Sequence, residues 1–256
     1  MRTKGYLKQL GVVAFGLAIP FLTARAHAQT HDDARIEADV HHALDSKKYS
    51  GITLAVHGGN VILQGSVENY ADKQQADNRV HHVKGVLGVD NEIRVAGPPV
   101  EDSTLRDKLA KKLAYDRVGY GTTAFNAINI GVQNGVVTLS GTVYGPVDHD
   151  SAISLVANTS GVKDVVDNLK VAPLSPMDDQ LRIRLANAIY GAPELQKYAM
   201  DPAKPIRITV VNGNVTLSGV VDSKMDHDVA GIKANSVPGV FKVTNDLQVA
   251  GKQTGR

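Results

Sequence analysis

The fold is decided by a stretch of sequence that reads INIGVQNGVVTLSGTV at residues 128–143. Apolar residues alternate with polar or small ones on both sides of Asn134-Gly135, as expected for two strands that each bury one face. An Asn-Gly pair favours a tight hairpin turn because both residues tolerate positive φ angles. The stretch therefore predicts an antiparallel pair of strands.

The same pattern occurs twice more, as ITLAVHGGNVILQGSV at residues 52–67 and as IRITVVNGNVTLSGVV at residues 206–221. After each hairpin the sequence predicts a helix and then a closing strand, V-x-N/D-x-L/I-x-V, which ends at Val95, Val171 or Val249. Before each hairpin, apolar residues at i, i+4 and i+8 predict a leading helix with one buried stripe. These residues are Ile36, Val40 and Leu44; Leu105, Leu109 and Leu113; Leu181, Leu185 and Ile189. The chain is therefore predicted to be an α+β protein of three tandem αββαβ modules.

Glycines recur at two positions of each copy. The second strands carry Gly65, Gly141 and Gly219, and the predicted second helices are followed by Gly85, Gly161 and Gly239. A glycine on the apolar face of a strand marks a close approach or a kink, and we expect a helix packed across the sheet to be its neighbour. Approach of a ligand is the alternative. The later glycines are expected to end the helices.

The second helix of each copy begins with a recurring pair of polar positions. Asn69, Gly145 and Ser223 fit the N-cap, and Asp72, Asp148 and Asp226 fit position N3. An acid at N3 suits the helix dipole and can cap free N–H groups. We therefore interpret the three aspartates as capping residues and not as catalytic acids.

Short linkers containing proline, residues 96–99 and 172–176, separate the copies. We expect modules at residues 32–97, 102–172 and 178–250. A module of this size buries too small a share of its surface to be very stable alone. The modules are therefore expected to dock against one another.

Residues 1–28 are typical of a secretory signal peptide. Basic residues precede the apolar run Leu10–Leu22, and Ala26-His27-Ala28 gives the small-x-small pattern that signal peptidase cleaves. The run is shorter than the roughly 20 residues of a membrane-spanning helix, although an uncleaved anchor is the alternative. Export to the periplasm follows from this interpretation, with no transmembrane anchor in the mature protein.

Charge and cysteine content exclude several classes of protein. Residues 1–28 hold four basic residues and no acid, so cleavage changes the formal net charge from +2 to −2. This balance gives no reason to expect a nucleic-acid partner, since such binding depends on clustered positive charge. The chain has no cysteine, which excludes disulfides and the lipid anchor of a bacterial lipoprotein.

The strand glycine, the Gly-Val after the second helix and the closing strand together resemble the BON domain family (bacterial OsmY and nodulation), and within it the osmotically inducible periplasmic proteins. The resemblance covers nearly all of the mature chain. It implies that each module is a three-stranded mixed sheet covered by two helices. It also implies a periplasmic location, a link to osmotic or envelope stress, and binding to phospholipid.

No group of residues predicts catalysis. The pairs His41-His42 and His81-His82 lie on predicted helices, where neighbours point about 100° apart and cannot converge on one metal ion. Nucleophile motifs, phosphate-binding loops and zinc-type clusters are absent from the sequence. We therefore expect no enzymatic activity, no catalytic residues, no cofactor and no bound metal.

One segment of the second copy combines basic and aromatic residues, followed by Phe125 in the same loop. The candidate lipid contacts are Arg106, Lys108, Lys111, Lys112, Tyr115, Arg117 and Tyr120. Such a combination suits an anionic lipid surface. The alternative is an ordinary solvated helix face, with Asp107 and Lys111 paired and the aromatic residues covering the core. The expected function is protection of the envelope through contact with phospholipid, and the alternative is a chaperone-like module that holds envelope proteins.

Overall fold

The computed structural model describes residues 21–116, 118 and 121–251, with side chains from residue 32 onward. Residues 1–20 of the predicted signal peptide lie outside the described residues, and so do the candidate residues Arg117 and Tyr120. None of the helices in the described ranges combines the length and apolar character needed to cross a membrane.

Each module contains a leading helix, a β-hairpin, a second helix and a closing strand. In module 1 these are α1 (Phe21–Ala43), β1 (Ile52–His57), β2 (Asn60–Val67), α2 (Tyr70–His81) and a strand in two parts, β3 (Gly88–Asn91) and β4 (Arg94–Val95). In module 2 they are α3 (Asp102–Tyr115), β5 (Ala127–Gln133), β6 (Val136–Val143), α4 (Pro146–Ala157) and β7 (Asp164–Val171). In module 3 they are α5 (Pro176–Tyr190), a short α6 (Lys197–Met200), β8 (Arg207–Val211), β9 (Asn214–Val221), α7 (Lys224–Asn235) and β10 (Lys242–Val249).

The second strand of each module is the central strand of its sheet. β2, β6 and β9 pair antiparallel with the strand before them and parallel with the closing strand. The hairpin registers are equivalent, with Leu63 opposite Leu54, Leu139 opposite Ile130 and Leu217 opposite Ile208. The predicted α+β fold of three αββαβ modules, each with a three-stranded mixed sheet, is confirmed.

Three hydrophobic cores lie under the three sheets, one for each module. The predicted stripe of each leading helix is buried, except that Leu113 is only half-buried. Alanines of the second helices, Ala76, Ala152 and Ala230, are also buried. Small side chains at these positions allow the second helix to lie close to the sheet, so the cores are made almost entirely of aliphatic residues.

The strand glycines are required by the neighbouring backbone. Gly65, Gly141 and Gly219 have φ angles of 105°, 113° and 126°, which side-chain-bearing residues rarely adopt. A Cβ atom on Gly141 would lie 2.0 Å from the carbonyl oxygen of Ala127, at the start of the paired strand. The expectation of a helix as the neighbour was wrong, because the nearest atoms belong to the other strand of the hairpin or to the one or two residues that precede it.

The helix ends were predicted about four residues too late. α2, α4 and α7 end at His81, Ala157 and Asn235, and two successive turns then lead to Gly85, Gly161 and Gly239. These glycines also have positive φ angles, and the leading helix segment packs on them. A Cβ atom on Gly85, for example, would lie 3.1 Å from Cδ1 of Ile36. The close helix contact expected at the strand glycines therefore occurs at this second set.

The modules contact their neighbours in the chain. Tyr70 and Ala71 of α2 belong to the buried cluster of module 2. Phe125, in the loop before β5, packs against the core of module 3, and the Arg207 guanidinium donates a hydrogen bond to the carbonyl of Thr123. These contacts provide the docking that the small size of the modules predicts.

Candidate functional site

The loop between the leading helix and the hairpin is held in each module by the aspartate at N3. In module 3, the Asp226 carboxylate accepts hydrogen bonds from Tyr198 Oη at 2.7 Å and from Lys197 Nζ at 3.0 Å. Burial of Asp226 opposes its ionisation, but the bonds from Tyr198 and Lys197 outweigh this effect and lower its pKa below the ordinary value. The carboxylate is therefore a fixed anchor for the loop.

Modules 1 and 2 hold their loops in the same way. In module 1, Lys48 Nζ lies 3.0 Å from Asp72 and 4.8 Å from the ring centre of Tyr49. The Lys-Tyr pair of module 3 has the same arrangement, with Lys197 Nζ 5.0 Å from the ring centre of Tyr198. In module 2, Asp148 accepts hydrogen bonds from Thr122 Oγ1 at 2.6 Å and Asn126 Nδ2 at 3.0 Å.

The predicted caps are present as well. Asn69 Oδ1 accepts a hydrogen bond from the N–H of Asp72, and Ser223 Oγ accepts one from the N–H of Asp226. Gly145 occupies the N-cap of α4 without a side chain to contribute. Each N3 aspartate thus has structural partners, and sequence reasoning missed the loop residues because the loops differ in length and composition.

A second aspartate, which sequence reasoning missed, connects each leading helix to its hairpin turn. Both carboxylate oxygens of Asp33, Asp102 and Asp178 accept hydrogen bonds from two consecutive backbone N–H groups of the turn, at 2.7–2.9 Å. Each aspartate lies three residues before the first residue of the predicted apolar stripe, Ile36, Leu105 or Leu181, a regularity that is readable in the sequence.

A third connection joins the second helix to the closing strand. Asn91 and Asn245 donate to the carbonyls of Lys73 and His227, at 3.2 Å and 2.8 Å. Module 2 has Asp167 at this position, and an ionised carboxylate cannot donate. The connection is made instead by the His149 ring of α4, whose Nε2 lies 2.8 Å from the Asp167 carboxylate. The Nδ1 atom of the same ring lies 2.9 Å from Asp150. The hydrogen bond to Asp150 raises the pKa of His149, burial lowers it, and the bond to Asp167 raises it, with a net increase above 6.5.

The candidate lipid contacts of α3 divide into two groups. Lys108, Lys111, Lys112 and Tyr115 follow the spacing i, i+3, i+4, i+7 and lie on one exposed face, which we call the basic face. Tyr115 is 52% exposed, and Lys112 Nζ donates to Thr159 Oγ1 at 3.0 Å. Arg106 lies about 160° around the helix from Lys108 and pairs with Asp107 at 3.2 Å. Arg106 is therefore outside the basic face.

Phe125 does not extend the basic face. Its ring lies 5.9 Å from the ring of Tyr144 and packs against the core of module 3. The predicted continuous basic and aromatic segment is thus reduced to the four residues of the basic face. Within the described ranges, no three His, Asp or Glu side chains are grouped so that they could hold a metal ion.

Comparisons with known proteins agree with the three-module architecture. The BON domain family matches residues 32–97, 101–173 and 192–251. Osmotically-inducible protein Y of Escherichia coli (strain K12) is 27% identical over 205 residues, which cover 78% of this chain and 96% of that protein. The third family match begins after α5, although Leu181 and Leu185 of α5 are buried in the core of module 3.

Two solved structures are also similar. A structure of CdsD, a structural protein of the type III secretion system of Chlamydia trachomatis, has a TM-score of 0.25 and 16% identity, and covers 84% of this chain and 92% of its own. A structure of the C-terminal domain of CdsD has a TM-score of 0.24 and 15% identity, and covers 83% and 96%.

Proposed function

Because the chain belongs to the BON domain family, we propose that it is a non-enzymatic periplasmic protein that protects the cell envelope under osmotic stress by contacting phospholipid surfaces. The similarity to a protein named as osmotically inducible supports the link to osmotic stress. The signal-like sequence of residues 1–28 supports export.

The observation that carries the lipid contact is the exposed basic face of α3. Lys108 lies beside the buried stripe of Leu105 and Leu109, Lys111 lies further round on the solvent side of the helix, and Tyr115 lies between them. Ammonium groups beside an amphipathic ring suit the boundary between anionic headgroups and acyl chains. Copies 1 and 3 lack this combination of residues, so the proposal assigns the contact to module 2.

The energy of this contact is modest. Each basic residue near an anionic leaflet contributes about 1 kcal/mol, so three lysines give about 3 kcal/mol. Binding of about 4 kcal/mol corresponds to a dissociation constant of about 1 mM. The basic face alone therefore gives weak, salt-sensitive binding, and firmer association needs a further contact.

The absence of catalysis in this proposal is supported by the roles of the recurring acids. The aspartates at N3 hold loops, and those of the leading helices hold hairpin turns. The His81 and His82 rings each form a hydrogen bond with the backbone carbonyl four residues earlier in the chain. No catalytic residue, cofactor or metal is part of the proposed function.

Flotation with vesicles tests the proposal. The mature chain should float with vesicles that contain phosphatidylglycerol at low salt, and its recovery should fall when salt is raised. Lys108→Glu/Lys111→Glu should abolish recovery, whereas Lys170→Glu/Lys204→Glu, an equal charge change at exposed sites, should retain most of it. No flotation of the unaltered chain at low salt would remove the proposal. If crosslinking then captured a stable protein partner, the chaperone-like alternative would be favoured.

A further inference from the structure

One position beside the hairpin is fixed in the same way in all three modules. The N–H groups of Leu87, Lys163 and Phe241 donate to the carbonyls of the hairpin glycines Gly59, Gly135 and Gly213, at 2.8, 2.9 and 2.8 Å. Each of them lies two positions after Gly85, Gly161 or Gly239, in the link from the second helix to the closing strand. This hydrogen bond holds the side chain at the hairpin end of the sheet, which we call the module tip.

The tips of modules 1 and 3 present large apolar side chains to solvent. Leu87 is 79% exposed and Phe241 is 86% exposed. Single exposed apolar residues are common on protein surfaces and need no explanation by themselves. Here, however, the same rigid backbone position carries a large apolar side chain in both module 1 and module 3, although solvation alone would favour a polar residue. The position therefore suits contact with an apolar environment.

Two basic residues lie near the tip of module 3, where the buried carboxylate of Asp178 already binds the N–H groups of the hairpin turn. The Arg184 guanidinium lies over Gly239, 3.3 Å from the place that a Cβ atom would occupy, and Lys242 follows Phe241 directly. The carbonyl of Gly239 and the Cβ atom of Phe241 both lie within 3.5 Å of the corresponding place on Gly213. Arg184 and Phe241 are thus placed around the same pair of glycines. An exposed ring among cations complements the acyl chains and phosphates of an anionic membrane interface.

Arg184 also relates this tip to the basic face of module 2. Arg184 lies three residues after Leu181 on α5, as Lys108 lies three residues after Leu105 on α3. Both leucines are fully or nearly fully buried in equivalent cores, so Arg184 and Lys108 occupy equivalent places in their modules. The tip of module 2 carries Lys163 where module 3 has Phe241. The same part of the fold therefore carries basic side chains in module 2 and an aromatic ring in module 3.

We propose that the tip of module 3, formed by Phe241, Arg184 and Lys242, is a second contact with anionic phospholipid, in which the Phe241 ring enters the interface beneath the headgroups. This inference rests on the proposed function and adds the apolar contact that the basic face lacks. Two weak contacts on one chain strengthen each other, because binding at the first raises the effective concentration of the membrane at the second. The tip of module 1 is the equivalent but weaker contact, with Leu87 exposed and the Arg35 guanidinium 3.5 Å from the place of a Cβ atom on Gly85.

Tryptophan fluorescence gives a direct test because the chain has no tryptophan. In Phe241→Trp, anionic vesicles should shift the emission to shorter wavelength and protect the ring from acrylamide. Ile232→Trp, at an exposed site on α7, is the matched control and should show neither change. Phe241→Ser should weaken vesicle binding about tenfold, as expected for loss of a buried phenyl ring, and should leave the circular dichroism spectrum unchanged.

The outcomes separate this inference from the proposed function. If Phe241→Trp floats with the vesicles but its emission stays that of a water-exposed ring, the tip contact is overturned and the basic face remains. If the chain does not bind anionic vesicles at all, both are overturned. A blue shift with neutral phosphatidylcholine vesicles equal to that with anionic ones would overturn the role given to Arg184 and Lys242.

Discussion

The carboxylate of Asp178 lies 2.9 Å from the backbone nitrogen of Gly213, so that the first turn of α5 holds the turn of a hairpin far along the chain. The second carboxylate oxygen accepts the N–H of Asn212 at 2.8 Å. Both donors point out of the turn, where water or a side chain must satisfy them. The same pair of bonds in modules 1 and 2 makes this connection a defining feature of the module.

Replacement of this carboxylate should destabilise module 3. Asp178→Asn leaves one N–H facing an amide NH₂ group, and hydrogen bonds to charged groups contribute about 1.5–3 kcal/mol each. We expect the unfolding free energy of module 3 to fall by about 2–3 kcal/mol in urea titrations. Asp246→Asn, at an exposed site on β10, should change it by less than about 0.5 kcal/mol. Equal effects of the two substitutions would show that the connection is dispensable.

The glycine of the central strand should not tolerate a side chain. Gly141→Ala places a Cβ atom 2.0 Å from the Ala127 carbonyl oxygen at a φ angle of 113°, and such strain costs about 1–3 kcal/mol or more. Gly131→Ala is the control on the paired strand, where the nearest atom to a Cβ would be 3.7 Å away. Thermal unfolding should show a large loss for the first variant and little change for the second, and similar melting temperatures would contradict this account.

The stability of module 2 should depend on pH through His149. Its pKa is raised in the folded state, so protonated His149 stabilises the fold fully below the unfolded value of 6.5. This contribution is lost as the pH rises through the folded pKa. We expect the unfolding free energy of module 2 to fall as the pH rises above about 6.5, and His149→Gln to remove this slope. NMR titration of the ring should give a pKa above 6.5, and a lower value would be inconsistent with the ties to Asp150 and Asp167.

The contact of Phe125 should couple modules 2 and 3. Phe125 belongs to module 2 in sequence but packs against the core of module 3, so Phe125→Ala should lower the stability of module 3 by about 1–2 kcal/mol. Phe241→Ala removes an equal side chain from an exposed site and should leave stability unchanged. Hydrogen exchange of α5 and β9 measures the effect. Unchanged exchange in the Phe125 variant would mean that the two modules fold independently.

The sequence was sufficient for the repeated elements because their signals are local. Alternation around Asn134-Gly135 predicted the hairpin, and the positions of Asn69 and Asp72 predicted the start of α2. The reason for Gly141 was not predicted, since a positive φ angle and a carbonyl across the sheet leave no distinct mark in the sequence. Residues 82–85 were predicted as helix because turns and helices share the same spacing of apolar residues.

The candidate site was predicted less completely because it depends on tertiary contacts. The spacing of Lys108, Lys111 and Tyr115 was enough to place them on one helix face. Phe125 was assigned to the same surface, although the neighbouring module covers it. Phe241 was not selected, because its exposure follows from a hydrogen bond to Gly213 that only the folded hairpin provides.

The central claim is that the basic face of α3 lies against an anionic membrane, and a single environment-sensitive label measures this most directly. The chain has no cysteine, and Thr104 lies on the basic face, four residues before Lys108, so Thr104→Cys adds a label and keeps every lysine. With phosphatidylglycerol vesicles, a nitrobenzoxadiazole label there should brighten and shift to shorter wavelength, while the same label on Gln248→Cys should not. A label at Thr104 that stays in water while the protein floats would contradict the claim.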